Sequence, residues 1–152
     1  MSSSINSLSV EEKSLLMKAP ILVCLLVAGA DRNIDRKEIV GFLYQIYEFS
    51  HESASVVSEF YSQILNSVEK RLFDEYESLP EDPEERNNQL VETLSGLNDI
   101  LPKIDKDFAS SFYKSLKNMA IKVAKASGGA FGMGAISEEE KEYMELAMIN
   151  PV

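Results

Sequence analysis

Ala28-Gly-Ala-Asp31-Arg-Asn-Ile-Asp35-Arg-Lys-Glu38 joins two segments of different character. Before it runs an unbroken apolar stretch, Ile21-Leu-Val-Cys24-Leu-Leu-Val27. After it, Ile39, Phe42, Leu43, Ile46 and Tyr47 recur at the spacing of one helix face. Asp35 with Glu38 three residues later is a helix-start pattern, in which the first side chain caps a backbone N–H and the second reaches back. The stretch therefore reads as helix, acidic turn, helix.

Working outward, Ser9-Val-Glu-Glu12 is a second such start and predicts a short helix to about Lys18. Pro20 suits the first turn of a further helix ending near Ala30. Residues 56–76 carry Val57, Phe60, Tyr61, Ile64, Leu65, Val68, Leu72 and Tyr76 as one apolar stripe. Pro80-Glu-Asp-Pro83 breaks it, and Asp82-Pro83 opens a helix bearing Leu90, Leu94, Leu97 and Leu101, ended by Pro102. Phe108, Phe112, Leu116, Met119, Ala120 and Val123 predict a long helix stopping at Gly128-Gly129. A last helix is expected from about Glu138 to Ile149. No segment alternates with period two. The expectation is an all-α, compact single-domain bundle of six to eight helices: an N-terminal segment, 1–17, with a short helix, then a helical domain over 18–152.

A chain of 152 residues with 45% hydrophobic content can bury one real core. Its formal net charge of −10 disfavours nucleic acid and anionic lipid surfaces, and favours cations and basic partners. The apolar run 19–30 is too short to span a bilayer. The segment before it is long and not basic, so a signal peptide is not expected either. One cysteine, Cys24, in an apolar run cannot form an internal disulfide and points to a reducing compartment. With a single histidine, His51, it also makes a zinc site implausible.

The acidic turn has a weaker copy. Ala28-x-Ala30-Asp31 aligns with Ala124-x-Ala126-Ser127, and Ile34-Asp35-x-x-Glu38 with Ile136-Ser137-x-x-Glu140. The shared order of apolar helix, turn and amphipathic helix predicts two pseudo-repeated halves. Asp31, Asp35 and Glu38 are hard oxygen donors in one short turn, suited to Ca²⁺, Mg²⁺ or Mn²⁺. They do not form an EF-hand. Arg36 stands where that loop needs glycine, and Phe42 where it needs a bidentate Glu. A purely structural reading competes, because capping alone explains Asp35 and Glu38, and likewise Ser137 and Glu140. Asp31 is the residue that capping explains least.

Gly128-Gly-Ala-Phe-Gly-Met-Gly134 lacks the strand and Gly-Lys-Ser/Thr ending of a phosphate loop and reads as a helix connection in which Phe131 and Met133 dock or meet a partner. His51 reads as a surface or C-capping residue, Cys24 as buried and inert, and the acidic 75–85 region as a solvated loop. No catalytic constellation emerges.

The turn and its copy resemble the two motifs of TerB-like (tellurite-resistance protein B) domains: Leu26-Val-Ala-Gly-Ala-Asp31 with Asp35-x-x-Glu38, and Val123-Ala-Lys-Ala-Ser-Gly-Gly129 with Ser137-x-x-Glu140. The resemblance covers most of residues 18–149. Arg32 departs from the glycine common after the aspartate, and Ser127 replaces the aspartate of the second turn. The resemblance implies a two-halved helical fold and a bacterial cytoplasmic protein linked to tellurite and other stress responses. It also implies a divalent-cation site, here Asp31, Asp35 and Glu38 with Glu140 as a weaker addition. The expected function is a non-enzymatic module engaging a protein partner, without nucleic-acid binding or membrane insertion. A metal-dependent hydrolase using the same carboxylates, and a structural subunit with no metal, are the alternatives.

Overall fold

The sequence around Ser9 sets the entry to the central helix. In the computed structural model, which describes residues 3–29, 36–52, 55–128, 141 and 143–152, Ser9 Oγ accepts from Glu12 N at 3.1 Å and Glu12 Oε1 accepts from Ser9 N at 3.0 Å. This capping box starts α2 (Val10–Ala28), which follows a single turn, α1 (Ser3–Asn6). The expected break at Pro20 does not occur. α2 runs through it, although proline supplies no N–H for the Leu16 carbonyl and costs about 3 kcal/mol in a helix interior. Burial offsets that cost: every residue from Ala19 to Ala28 is buried, so this half of α2 is a rod enclosed on all sides. The expected boundary between residues 17 and 18 thus falls inside one helix, and Ile5 and Leu8 are already in the core.

α3 (Arg36–Ser50), α5 (Val68–Ser78), α6 (Pro83–Ser95), α7 (Leu97–Ile100) and α8 (Lys106–Gly128) all pack on α2, and α4 (Ser58–Leu65) packs on α3. The single helix expected over 56–76 is two helices, broken at Asn66-Ser67, because Ser67 leaves helical geometry at φ −135°, ψ 16°. Glu75 belongs to α5, not to a solvated loop, and its carboxylate meets Lys18 at 3.9 Å. Asp82 caps α6, accepting from Glu85 N at 3.0 Å, with Pro83 in the first turn as the sequence predicts.

The stripe Leu90 to Leu101 bends at Gly96, between α6 and α7, and closes in a 3-10 turn over Leu101–Lys103. A Cβ on Gly96 would lie 2.9 Å from Leu15 Cδ2, so the glycine lets this corner press onto α2. α8 presents Phe108, Phe112, Leu116, Met119, Ala120 and Val123 inward as expected. With Phe49, Phe60 and Tyr61 from α3 and α4, Phe108 and Phe112 form an aromatic cluster with centroids 4.9–5.9 Å apart.

The expected last helix does not reach Ile149. Lys141, Tyr143 and Met144 are helical, and turns follow from Glu145. Leu146 adopts φ 51°, a left-handed conformation that a leucine holds only under constraint; its side chain is fully buried. Asn98 pins this tail at both ends, donating to Met148 O (2.9 Å) and accepting from Asn150 N (2.7 Å). Among the described residues there is no strand, in keeping with the all-α class.

Candidate functional site

Gly29 closes α2, its N–H donating to Leu25 O at 3.0 Å, and the chain then enters the acidic turn. Asp31 and Asp35, in 30–35, and Glu140, in 129–140, lie outside the described residues, as do the second copy's turn and Phe131 and Met133. Glu38 is described, in the first turn of α3, and is 1% exposed. No group of three or more carboxylate, histidine or cysteine side chains suited to a metal occurs among the described residues.

Two features flank the turn. Cys24 is fully buried on α2, and burial pushes its thiol well above the ordinary range, with the Glu38 charge adding to the effect. A raised thiol is a poor nucleophile, consistent with an inert cysteine. The second feature escaped the sequence reading. Arg86, from the polar run Glu84-Glu-Arg-Asn-Asn88, is 5% exposed and turns inward beneath Gly29. Its Nη2 donates to Gly29 O at 3.4 Å, while Nε and the neighbouring buried Asn87 Oδ1 have no hydrogen-bond partner among the described residues. A Cβ on Gly29 would sit 2.9 Å from both Arg86 Nη2 and Leu25 O. A guanidinium therefore stands against Gly29, the last described residue before the acidic turn.

His51 caps as expected. Its Nδ1 lies 2.9 Å from Tyr47 O and 2.9 Å from Ser50 Oγ, and its ring packs on Tyr47. The Ser50 hydroxyl donates to Tyr47 O at 2.7 Å, so its proton goes to a carbonyl and the imidazole does not activate it.

An apolar concave surface lies elsewhere. Leu25 of α2, Ile39 and Leu43 of α3, and Glu69, Leu72, Phe73 and Tyr76 of α5 line a groove of about 400 Å³. Its α5 wall follows from spacing, since residues 69, 72, 73 and 76 share one helix face. Two of its lining side chains stand in solvent, Phe73 (63% exposed) and Tyr76 (48%) on α5, and α3 carries further exposed Val40, Tyr44 and Tyr47 outside the lining. The sequence shows these as apolar stripes without showing that α5 leaves its own partly uncovered.

Comparison of the chain with protein-family models, curated proteins and solved structures finds no match. The TerB-like resemblance therefore rests on the sequence motifs alone. No helix among the described residues is long and apolar enough to cross a membrane.

Proposed function

We propose that this chain is a non-enzymatic, TerB-like helical module that receives a protein partner in the groove between α2, α3 and α5. The observation that carries the reading is the exposure of Phe73 and Tyr76 beside Leu25, Ile39, Leu43 and Leu72 in one groove. Contiguous exposed apolar surface rimmed by polar residues marks interaction sites, and tyrosine and phenylalanine are enriched at the centres of interfaces. A cytoplasmic, stress-response setting belongs to the same reading, supported by the lone buried Cys24 and the TerB-like motifs.

The test compares proteins retained from a native lysate by the wild-type chain and by Phe73→Ser/Tyr76→Ser. Species held by the wild type and released by the double variant support the groove. Identical sets would remove it from consideration.

A second reading has support in Glu38, a buried carboxylate placed just after the acidic turn. In it, Asp31, Asp35 and Glu38, with Glu140, bind a divalent cation that modulates the module. Calorimetry with calcium, magnesium and manganese tests this. A metal-dependent rise in melting temperature that Asp31→Ala abolishes supports the site, and silence at millimolar metal sinks it.

A further inference from the structure

We infer that the groove takes an amphipathic helix whose apolar face is flanked by lysine and arginine. The inference rests on the groove reading above and names its partner. The groove is lined as helix-in-groove sites are, by apolar side chains of α3 and α5 with Leu25 of α2. Along α5 the lining runs from Glu69 to Tyr76, two helical turns or about 10 Å, which suits anchors at i, i+3 or i+4, and i+7.

Charge selects the flanks. From Glu69 to Glu85 the chain carries eight carboxylates against two bases, Lys70 and Arg71. Both bases are engaged: Lys70 Nζ bonds Asp74 Oδ2 at 2.8 Å, and Arg71 Nε donates to Ser67 Oγ at 2.8 Å. Lys18, on the α2 side, is drawn to Glu75. Glu69, which lines the groove, and Glu77, one turn beyond Phe73, are exposed and have no ion pair among the described residues. The segment of α3 from Ile39 to Tyr47 is uncharged; exposed cations near that helix include Arg36 and Lys37 at its start, and Lys122 of α8, whose backbone packs against Gly41 on the opposite side from Ile39 and Leu43. Net field and local rim thus both favour a basic helix and repel acidic segments and anionic lipid.

The test uses the full chain and three labelled helical peptides in fluorescence anisotropy. One carries a Leu/Phe face flanked by lysines, one the same face flanked by glutamates, and one the lysine composition in scrambled order. The lysine-flanked face should bind at least about tenfold more tightly than either other peptide, and weaken as salt rises from about 0.05 to about 0.5 M. Glu69→Lys/Glu77→Lys should reverse the preference between lysine and glutamate flanks. Phe73→Ser/Tyr76→Ser should weaken the patterned peptides together. All four side chains are exposed, and unchanged melting curves confirm that the variants fold.

Equal binding of lysine and glutamate peptides overturns the basic partner while leaving the groove reading intact. Equal binding of the scrambled peptide overturns it in favour of diffuse charge attraction. Patterned binding indifferent to Phe73→Ser/Tyr76→Ser overturns both readings. Self-association that competes with every peptide, and is lost in that variant, assigns the groove to a second copy and overturns the inference. Partition of the chain onto phosphatidylcholine vesicles, lost in the same variant, does so in favour of a bilayer surface.

Discussion

Tyr61 and Ser115 join α4 to α8 through one buried contact whose direction can be worked out. The Tyr61 hydroxyl lies 2.5 Å from Ser115 Oγ, and Ser115 Oγ donates to Phe112 O at 2.6 Å. The serine proton is committed to the carbonyl, so the phenol must be the donor. Both side chains are at most 3% exposed, and burial pushes the Tyr61 phenol far above its ordinary range. The two deletions are therefore unequal. Tyr61→Phe removes the donor and leaves Ser115 bonded to Phe112 O, at a cost of about 1 kcal/mol. Ser115→Ala strands a phenolic O–H with no water, a penalty of about 1–3 kcal/mol, of which alanine's better helix propensity returns roughly 0.5. The double variant strands nothing and should cost about 1 kcal/mol or less. For a chain of this size that corresponds to melting shifts of roughly 2–4 °C for Tyr61→Phe and, at a mid-range net cost of about 1.5 kcal/mol, roughly 3–6 °C for Ser115→Ala. The second phenylalanine substitution should then restore part of the loss. Urea and thermal unfolding of the four proteins give the cycle. A double variant less stable than Ser115→Ala, or Tyr61→Phe the costlier single change, would refute the assigned direction.

Gly29→Ala should lower stability by about 1–3 kcal/mol, because the new Cβ meets the Leu25 carbonyl, which cannot turn away as a side chain would; urea midpoints measure it. Arg86→Met, of similar length and apolar, should leave stability unchanged or raise it, since among the described residues the buried guanidinium makes one long hydrogen bond. A loss beyond about 3 kcal/mol would instead show it paired with a carboxylate. Glu12 and Lys103 meet at 2.6 Å, which lowers the Glu12 carboxyl and raises the Lys103 amine. The carboxyl's contribution is present above its unfolded value and lost as pH falls through the lowered folded one. The amine's is lost as pH rises through its raised value. Glu12→Gln, which keeps an acceptor for Ser9 N, should therefore differ from the wild type near neutrality and converge with it in acid. Cys24 should resist thiol reagents in the folded chain and react at the rate of unfolding, as a colorimetric thiol assay would show.

Helix starts were the most legible part of the sequence, because Ser9 with Glu12 and Asp82 with Pro83 act within one turn and need no tertiary partner. The inward face of α8 was equally readable from its spacing. Pro20 misled because its local cost is outweighed by burial that only the assembled bundle supplies. Asn66-Ser67 and Gly96 break continuous stripes without a strong breaker, and Gly96 matters through Leu15, some eighty positions away. Arg86 looked like any charge in a polar run, although the capped start at Asp82 fixes which face it occupies. For the site, the sequence indicates the acidic turn and Glu38. The groove needed three helices brought together, and a stripe cannot tell whether its facing neighbour is present.

The enclosed rod of α2 carries a consequence for how the chain is made. Its apolar residues leave the ribosome well before α8, which begins about eighty residues later and covers one of its sides. At ordinary synthesis rates that interval is roughly 4–16 s, during which the stretch 19–28 has neither a polar face to show nor its full set of neighbours. Nascent chains halted before Lys106 should therefore be held by chaperones or aggregate, and the bundle is committed to closing late, on the emergence of its longest helix.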